Sequence, residues 1–148
     1  MTDSTFTPLH RSLTYRLHYL HKVSDMATQR MYEQQVGLSL SEGRCLATIG
    51  TFAPVSINDL AHAANLNKAQ ASRAAQQLVS KQLVLKAEDP NDKRGVQLRL
   101  SSTGKKYWLQ TMQLIQERNQ VIFSSLNPEE EQIFSDLLDK LIADLPEP

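Results

Sequence analysis

Two clusters of polar side chains in the middle of the chain carry its most distinctive chemistry. The stretch DPNDKRGVQLRL, residues 89–100, sets Lys93 and Arg94 directly after a run of turn formers ending in Asp92. Val96, Leu98 and Leu100 then alternate with Gln97 and Arg99, the period of a half-buried strand. Cations at a hairpin tip have no protein to pack on, but they suit phosphate, and an Arg there suits the negative potential of a narrow minor groove. The short carboxylate of Asp92 can orient a guanidinium, that of Arg94 or of Arg73, through a charge-assisted pair. The second cluster is KAQASRAAQQLVSK, residues 68–81, where Lys68, Gln70, Ser72 and Arg73 lie early on a predicted helix and Gln76 one turn on. Arg can offer two donors to a guanine edge and Gln can bond adenine twice, whereas Lys68 and Ser72 suit phosphate equally well. On these residues alone, a helical hairpin packed in a core beside a solvated charged loop remains the alternative.

The charge distribution bears on that choice. The 148 residues sum to zero net charge. Residues 67–106 nevertheless hold nine cations against Glu88, Asp89 and Asp92, a local +6, and residues 107–148 hold an equal excess of acids. A concentrated basic segment is the electrostatic footprint of phosphate binding. A basic face that docks an acidic protein partner is the rival reading, and it predicts a helical interaction module instead.

The elements that must position these residues follow from periodicity and caps. Leu9, Leu13, Leu17, Leu20, Ala27 and Met31 predict one amphipathic helix from about Pro8 to Gln34, ending before Gly37. Ser39-x-x-Glu42, Ser56-x-x-Asp59 and Asn67-x-x-Gln70 predict the starts of three further helices. A strand over 83–88, a turn over 89–95 and a returning strand over 96–100 come next. Gly104 falls in the first turn of a fifth helix, and Asn127-Pro128-Glu129-Glu130 opens a sixth. The fold class is therefore mainly α with a small β-hairpin: a winged helix-turn-helix over 38–101, flanked by long helices over 8–34 and 102–145. Those long helices carry more apolar surface than a small domain covers, which predicts an intertwined homodimer.

From Leu38 to Tyr107 the sequence resembles the MarR (multiple antibiotic resistance regulator) family of bacterial transcription factors. DPNDKRGVQLRLSSTG matches the family's wing motif, with Asp89, Asp92 and Arg94 on its charged positions and Gly104 on its glycine. SRAAQQLVSKQLV matches its recognition helix and the following strand. The resemblance implies a homodimer on a palindromic double-stranded DNA operator, most often a repressor of a nearby operon released by a small ligand or by oxidation. By position, it implies that Ser72 and Arg73 belong to the base-reading helix and Arg94 to the wing tip. One departure stands out: where the family commonly has a large aromatic, this chain has Gly43. The family's effector cleft lies nearby, between the first, second and fifth helices. The expectation is that Gly43 widens a pocket in which Arg44 or Arg16 meets an anion, an aromatic acid, a phenolic compound or a related thioester. The alternative is that another side chain, Trp108 among them, fills the gap.

Other residues point to less. His10, His18 and His21 share the first helix but lack a nearby Cys or well-placed carboxylate, so no metal site and no cofactor is expected. Cys45, the only cysteine, allows no internal disulfide; a redox-sensing regulator using Cys45 is a further alternative, although a thiol in an apolar helix is usually inert. No catalytic constellation stands in a convincing context, so an enzyme is not expected. No apolar run approaches a membrane span and no hydrophobic signal core precedes the first helix, so the cytoplasm is the expected compartment.

Overall fold

The computed structural model describes residues 5–147, with the backbone but not the side chains of Lys93 and Arg94. It comprises two compact units, one through Leu114 and one from Ile115 onward.

In the first unit, helix α1 runs Leu13–Gln35. The single helix predicted from residue 8 is interrupted: Ser12 is extended (φ −63°, ψ 135°) and Leu9–Arg11 form a separate 3₁₀ turn. Ser12 sits at the N-cap of α1, a position this residue type favours because its hydroxyl competes with helical hydrogen bonding. Helix α1 ends at a turn in which Gly37 takes φ +65°, the left-handed conformation that glycine adopts without strain. The amides of Val36 and Leu38 both donate to the Tyr32 carbonyl, at 3.0 and 3.3 Å.

Local side-chain caps then set three helix starts. Helix α2 (Leu40–Phe52) begins where Ser39 Oγ accepts from the Glu42 amide at 3.2 Å. Helix α3 (Ile57–Ala63) begins where Ser56 Oγ accepts from the Asp59 amide at 3.1 Å. Helix α4 (Lys68–Ser80) has a reciprocal box: Asn67 Oδ1 accepts from the Gln70 amide at 2.8 Å, and the Asn67 amide donates to Gln70 Oε1 at 3.2 Å. Ala71, Ala74 and Ala75 are all buried, and their small size lets α4 pack closely on α2 and α3 while its other face stays in solvent.

Strands β1 (Val84–Asp89) and β2 (Asp92–Leu100) form an antiparallel hairpin. Its tip is Pro90-Asn91, closed by the Asn91 amide donating to Asp89 Oδ1 at 2.9 Å, so the predicted seven-residue turn is too long. The register jumps from Glu88↔Val96 to Asp89↔Asp92, which leaves Lys93, Arg94 and Gly95 as extra residues on β2. Residues 93–95 therefore form a bulge in the backbone beside the tip. Val55 adds a third rung, exchanging backbone bonds with Leu98 at 3.2 and 2.8 Å. Leu38, Leu46, Ile49, Leu60, Leu78 and Leu98 are almost wholly buried and make one core from α2, α3, α4 and the hairpin. This is a winged helix-turn-helix in a mainly α chain.

Helix α5 (Ser102–Ile122) is joined to the hairpin at Ser101, whose amide donates to the Leu83 carbonyl (3.0 Å) and whose hydroxyl donates to the Gln82 carbonyl (2.7 Å). The Gly104 amide donates to the same hydroxyl at 2.9 Å. A Cβ at Gly104 would run into the Leu83 carbonyl oxygen, which explains why glycine stands there. The second unit holds the end of α5 and helix α6 (Pro128–Asp144), started by the reciprocal Asn127/Glu130 box with Pro128 in its first turn. Phe123 and Phe134 pack within it, ring centroids 5.8 Å apart.

Because a backbone oxygen set by two hydrogen-bonded elements cannot step aside, Gly104→Ala should lose about 1–3 kcal/mol of stability. Thermal denaturation checks this; an unchanged melting temperature would show that the junction relaxes.

Candidate nucleic-acid interface

Helix α4 buries one face and exposes the other, and the exposed face carries the residues singled out from sequence. Lys68, Ser72 and Gln76 recur every four residues and form one row. Arg73 lies on the flank toward α2, where it lines a groove of about 310 Å³ with Ser39, Ser41, Glu42, Gln70 and Gln77. Gln70 is on that flank too, but its Oε1 is committed to the Asn67 amide. It therefore caps the helix that it was expected to read from, and only its amide N–H groups remain to offer.

On the opposite flank, a narrow groove of about 80 Å³ separates α4 from the hairpin. Ser72, Gln76 and Val79 line one side, and Lys86, Val96 and Leu98 the other. Lys86 pairs with Leu98 across the ladder and so shares its face, the one turned to α4. Sequence reading missed Lys86, counting it only as one of nine cations. The register, which places it on the same face as buried Val84 and Leu98, is the signal that finds it.

Asp92 occupies the first rung after the tip, opposite Asp89. The side chains of Lys93 and Arg94 lie outside the described residues, and with them the expected orienting contact of Asp92 on Arg94. Of the other middle-segment cations, Lys81 serves structure: its Nζ donates to the Gly37 carbonyl at 3.3 Å and pairs with the Glu42 carboxylate.

The expected ligand residues are arranged differently from their prediction. The ring of Tyr32 fills the space beside Gly43, and a Cβ at that position would collide with its edge. Gly43 thus accommodates Tyr32, so the space expected to widen a cleft there is taken by that ring, as in the alternative that another side chain fills the gap. Arg44 Nη2 is held at 2.7 Å by Asp25 Oδ1, and His21 Nε2 approaches the other carboxylate oxygen at 3.1 Å. Arg16 is exposed on α1. Burial raises the Tyr32 hydroxyl above its ordinary pKa, with Arg44 opposing and Asp25 reinforcing that rise. Trp108 packs instead over Gly50, its Nε1 donating to the Ala47 carbonyl at 3.2 Å. An open cleft of about 490 Å³ lies there, between the end of α2 and the start of α5.

Cys45 has no exposed surface, and burial pushes its thiol up to about 12, with Glu42 adding to the rise. Among the described residues, no three His, Cys, Asp or Glu side chains gather to hold a metal. No helix among them is long and apolar enough to cross a membrane.

Residues 38–96 match the MarR family model. The chain carries a MarR-family domain. The fold of the whole chain is similar to that of solved transcriptional regulators. BpsR of Bordetella bronchiseptica, described in terms of regulation of its DNA binding by 6-hydroxynicotinic acid, is 19% identical over 95% of this chain and 99% of its own, TM-score 0.84. The C80S mutant of E. coli MarR in complex with operator DNA is 25% identical over 95% of this chain and 100% of its own, TM-score 0.79. S. aureus MepR in a DNA complex is 20% identical over 90% of this chain and 98% of its own, TM-score 0.78. No curated protein matches the chain in sequence.

The state of Cys45 gives a direct chemical expectation. With its pKa near 12, about one thiol in ten thousand is ionised at pH 8. Iodoacetamide should therefore label the native protein at least a hundredfold more slowly than the urea-unfolded chain. Equal labelling rates would return Cys45 to the list of redox candidates.

Proposed function

We propose that the protein is a homodimeric repressor that places α4 of each subunit in the major groove of a palindromic operator and sets its hairpin along the adjacent minor groove. The observation that carries this reading is the layout of α4. A buried alanine face fixes the helix, and a solvent face presents Lys68, Ser72, Arg73 and Gln76 beside Lys86 on the neighbouring strand. Arg73 and Gln76 would read base edges, Lys68, Ser72 and Lys86 would hold phosphates, and Lys93 and Arg94 would reach the minor groove with Asp92 orienting Arg94. In this reading residues 38–101 bind DNA.

Dimerisation is supported by apolar surface without a cover in one chain. Leu9, Leu13, Leu17 and Leu20 are 44–72% exposed, as are Ile133, Leu137, Leu141 and Leu145 on or just after α6, at 53–68%. A second copy of the chain would cover these two stripes through residues 8–34 and 102–145. Control by a small aromatic acid, phenolic compound or related thioester is supported by the relative regulated by 6-hydroxynicotinic acid. Burial and the high pKa of Cys45 favour ligand control over redox control. The cytoplasm, where the chromosome of a bacterium lies, is the compartment this function requires.

Fluorescence anisotropy against operator DNA over a salt series tests the reading. Affinity should fall steeply with salt, because each phosphate contact releases counterions. Arg73→Ala should cost about 1–3 kcal/mol and relax base preference, while Lys86→Ala should weaken all sequences alike and lower the salt slope by about one. A flat salt dependence without sequence preference would instead favour an acidic protein partner. Sedimentation should give twice the 16.7 kDa chain mass.

A further inference from the structure

The reciprocal box that starts α4 also fixes which way an amide points. The backbone N–H of Asn67 can bond only an acceptor, so the Gln70 atom 3.2 Å from it is the carbonyl oxygen Oε1. The return bond, from the Gln70 amide to Asn67 Oδ1 at 2.8 Å, locks both residues into one arrangement. The Gln70 side chain is exposed, yet its oxygen is turned back over the helix end. What it presents outward is Nε2 with two N–H groups.

Gln76 is the contrast. It is exposed on the same helix, and among the described residues no hydrogen bond holds its side-chain amide. Pairing with adenine needs oxygen and nitrogen side by side, one accepting from N6 and the other donating to N7. Gln76 can offer that edge, whereas Gln70, with its box closed, offers donors alone. Guanine is the base whose major-groove edge carries two acceptors, N7 and O6, and no donor. Arg73, which lines the flank toward α2 together with Gln70, is donor-only as well. Gln70 is the third residue of α4, and the N-terminal residues of such a helix are the ones that face base edges.

We propose that Gln70 is a specificity-determining residue that reads guanine through Nε2, its choice of base imposed by the Asn67 box. The bond that starts the helix is thereby the bond that rejects adenine at one position of the operator. Because the side chain is held before DNA arrives, little rotamer freedom is lost on contact. The inference rests on the DNA-binding reading above and adds Gln70 to the base readers Arg73 and Gln76.

The full-length protein, wild type and variants, is used to select from a random double-stranded DNA library. The operator selected by wild type is then titrated with each base pair substituted in turn. Wild type should lose about tenfold in affinity when one guanine per bound subunit becomes adenine, and Gln70→Ala should be indifferent to that change. Gln70→Glu keeps an acceptor for the Asn67 amide, so its melting temperature should match wild type. It exchanges the donors for an acceptor, and its preference at that guanine should move to cytosine, whose N4 donates. Other positions should keep their preference. A residue that only caps the helix would leave the base profile of Gln70→Glu unchanged, and that result overturns the inference. So does adenine at the position that Gln70→Ala relaxes, because the amide would then have left the box to pair through both atoms. A wild-type protein that selects no sequence removes the DNA-binding reading and this inference with it. A selected operator whose profile neither Gln70 variant alters removes the inference alone.

Discussion

The backbone of Leu98 is where the helices and the hairpin become one body. Its amide and carbonyl bond Val55, the segment that leads into α3, while the residue pairs with Lys86 in β1. Its side chain, wholly buried, completes the core formed by α2, α3 and α4. A two-stranded hairpin is marginal in water by itself. Here it is held by a third rung and an apolar face, and so its outer residues are free of any packing duty. The same holds for α4, whose alanines supply the contact and whose polar face is left in solvent.

Most of this arrangement was legible in the sequence because the signals are local. The caps at Ser39, Ser56, Asn67 and Asn127 each involve a partner three residues away, so the residue types announce the bond that the structure contains. The alternation of Val96, Leu98 and Leu100 likewise gave the strand and its inner face. The turn length was misjudged because Lys93, Arg94 and Gly95 are extra residues only relative to the opposite strand, a property of the pair and of neither strand alone.

The site was legible on α4 and less so elsewhere, for the same reason. A helix fixes which residues share its face, and the row of Lys68, Ser72 and Gln76 follows from spacing. A glycine announces that something comes close, but not what. Gly43 receives Tyr32 and Gly50 receives Trp108, and both partners come from other helices. Nor does a residue type announce its commitments. Gln70, Lys81 and Arg44 look available in the sequence, yet they hold the α4 cap, the Gly37 turn and Asp25.

The grip of Lys81 has a mechanical side. Its ammonium, just past the C-terminal end of α4, holds the turn where α1 hands over to α2 and the first turn of α2 itself. Helix α1, 23 residues long, ends at this turn and is held on α2 by the Asp25–Arg44 pair and by Tyr32 against Gly43. Lys81 thus ties the tail of α4 to the turn between α1 and α2, beside the core contacts through which α4 packs on α2. One ammonium therefore joins the ends of three helices: the last residue beyond α4, the turn after α1 and the first turn of α2.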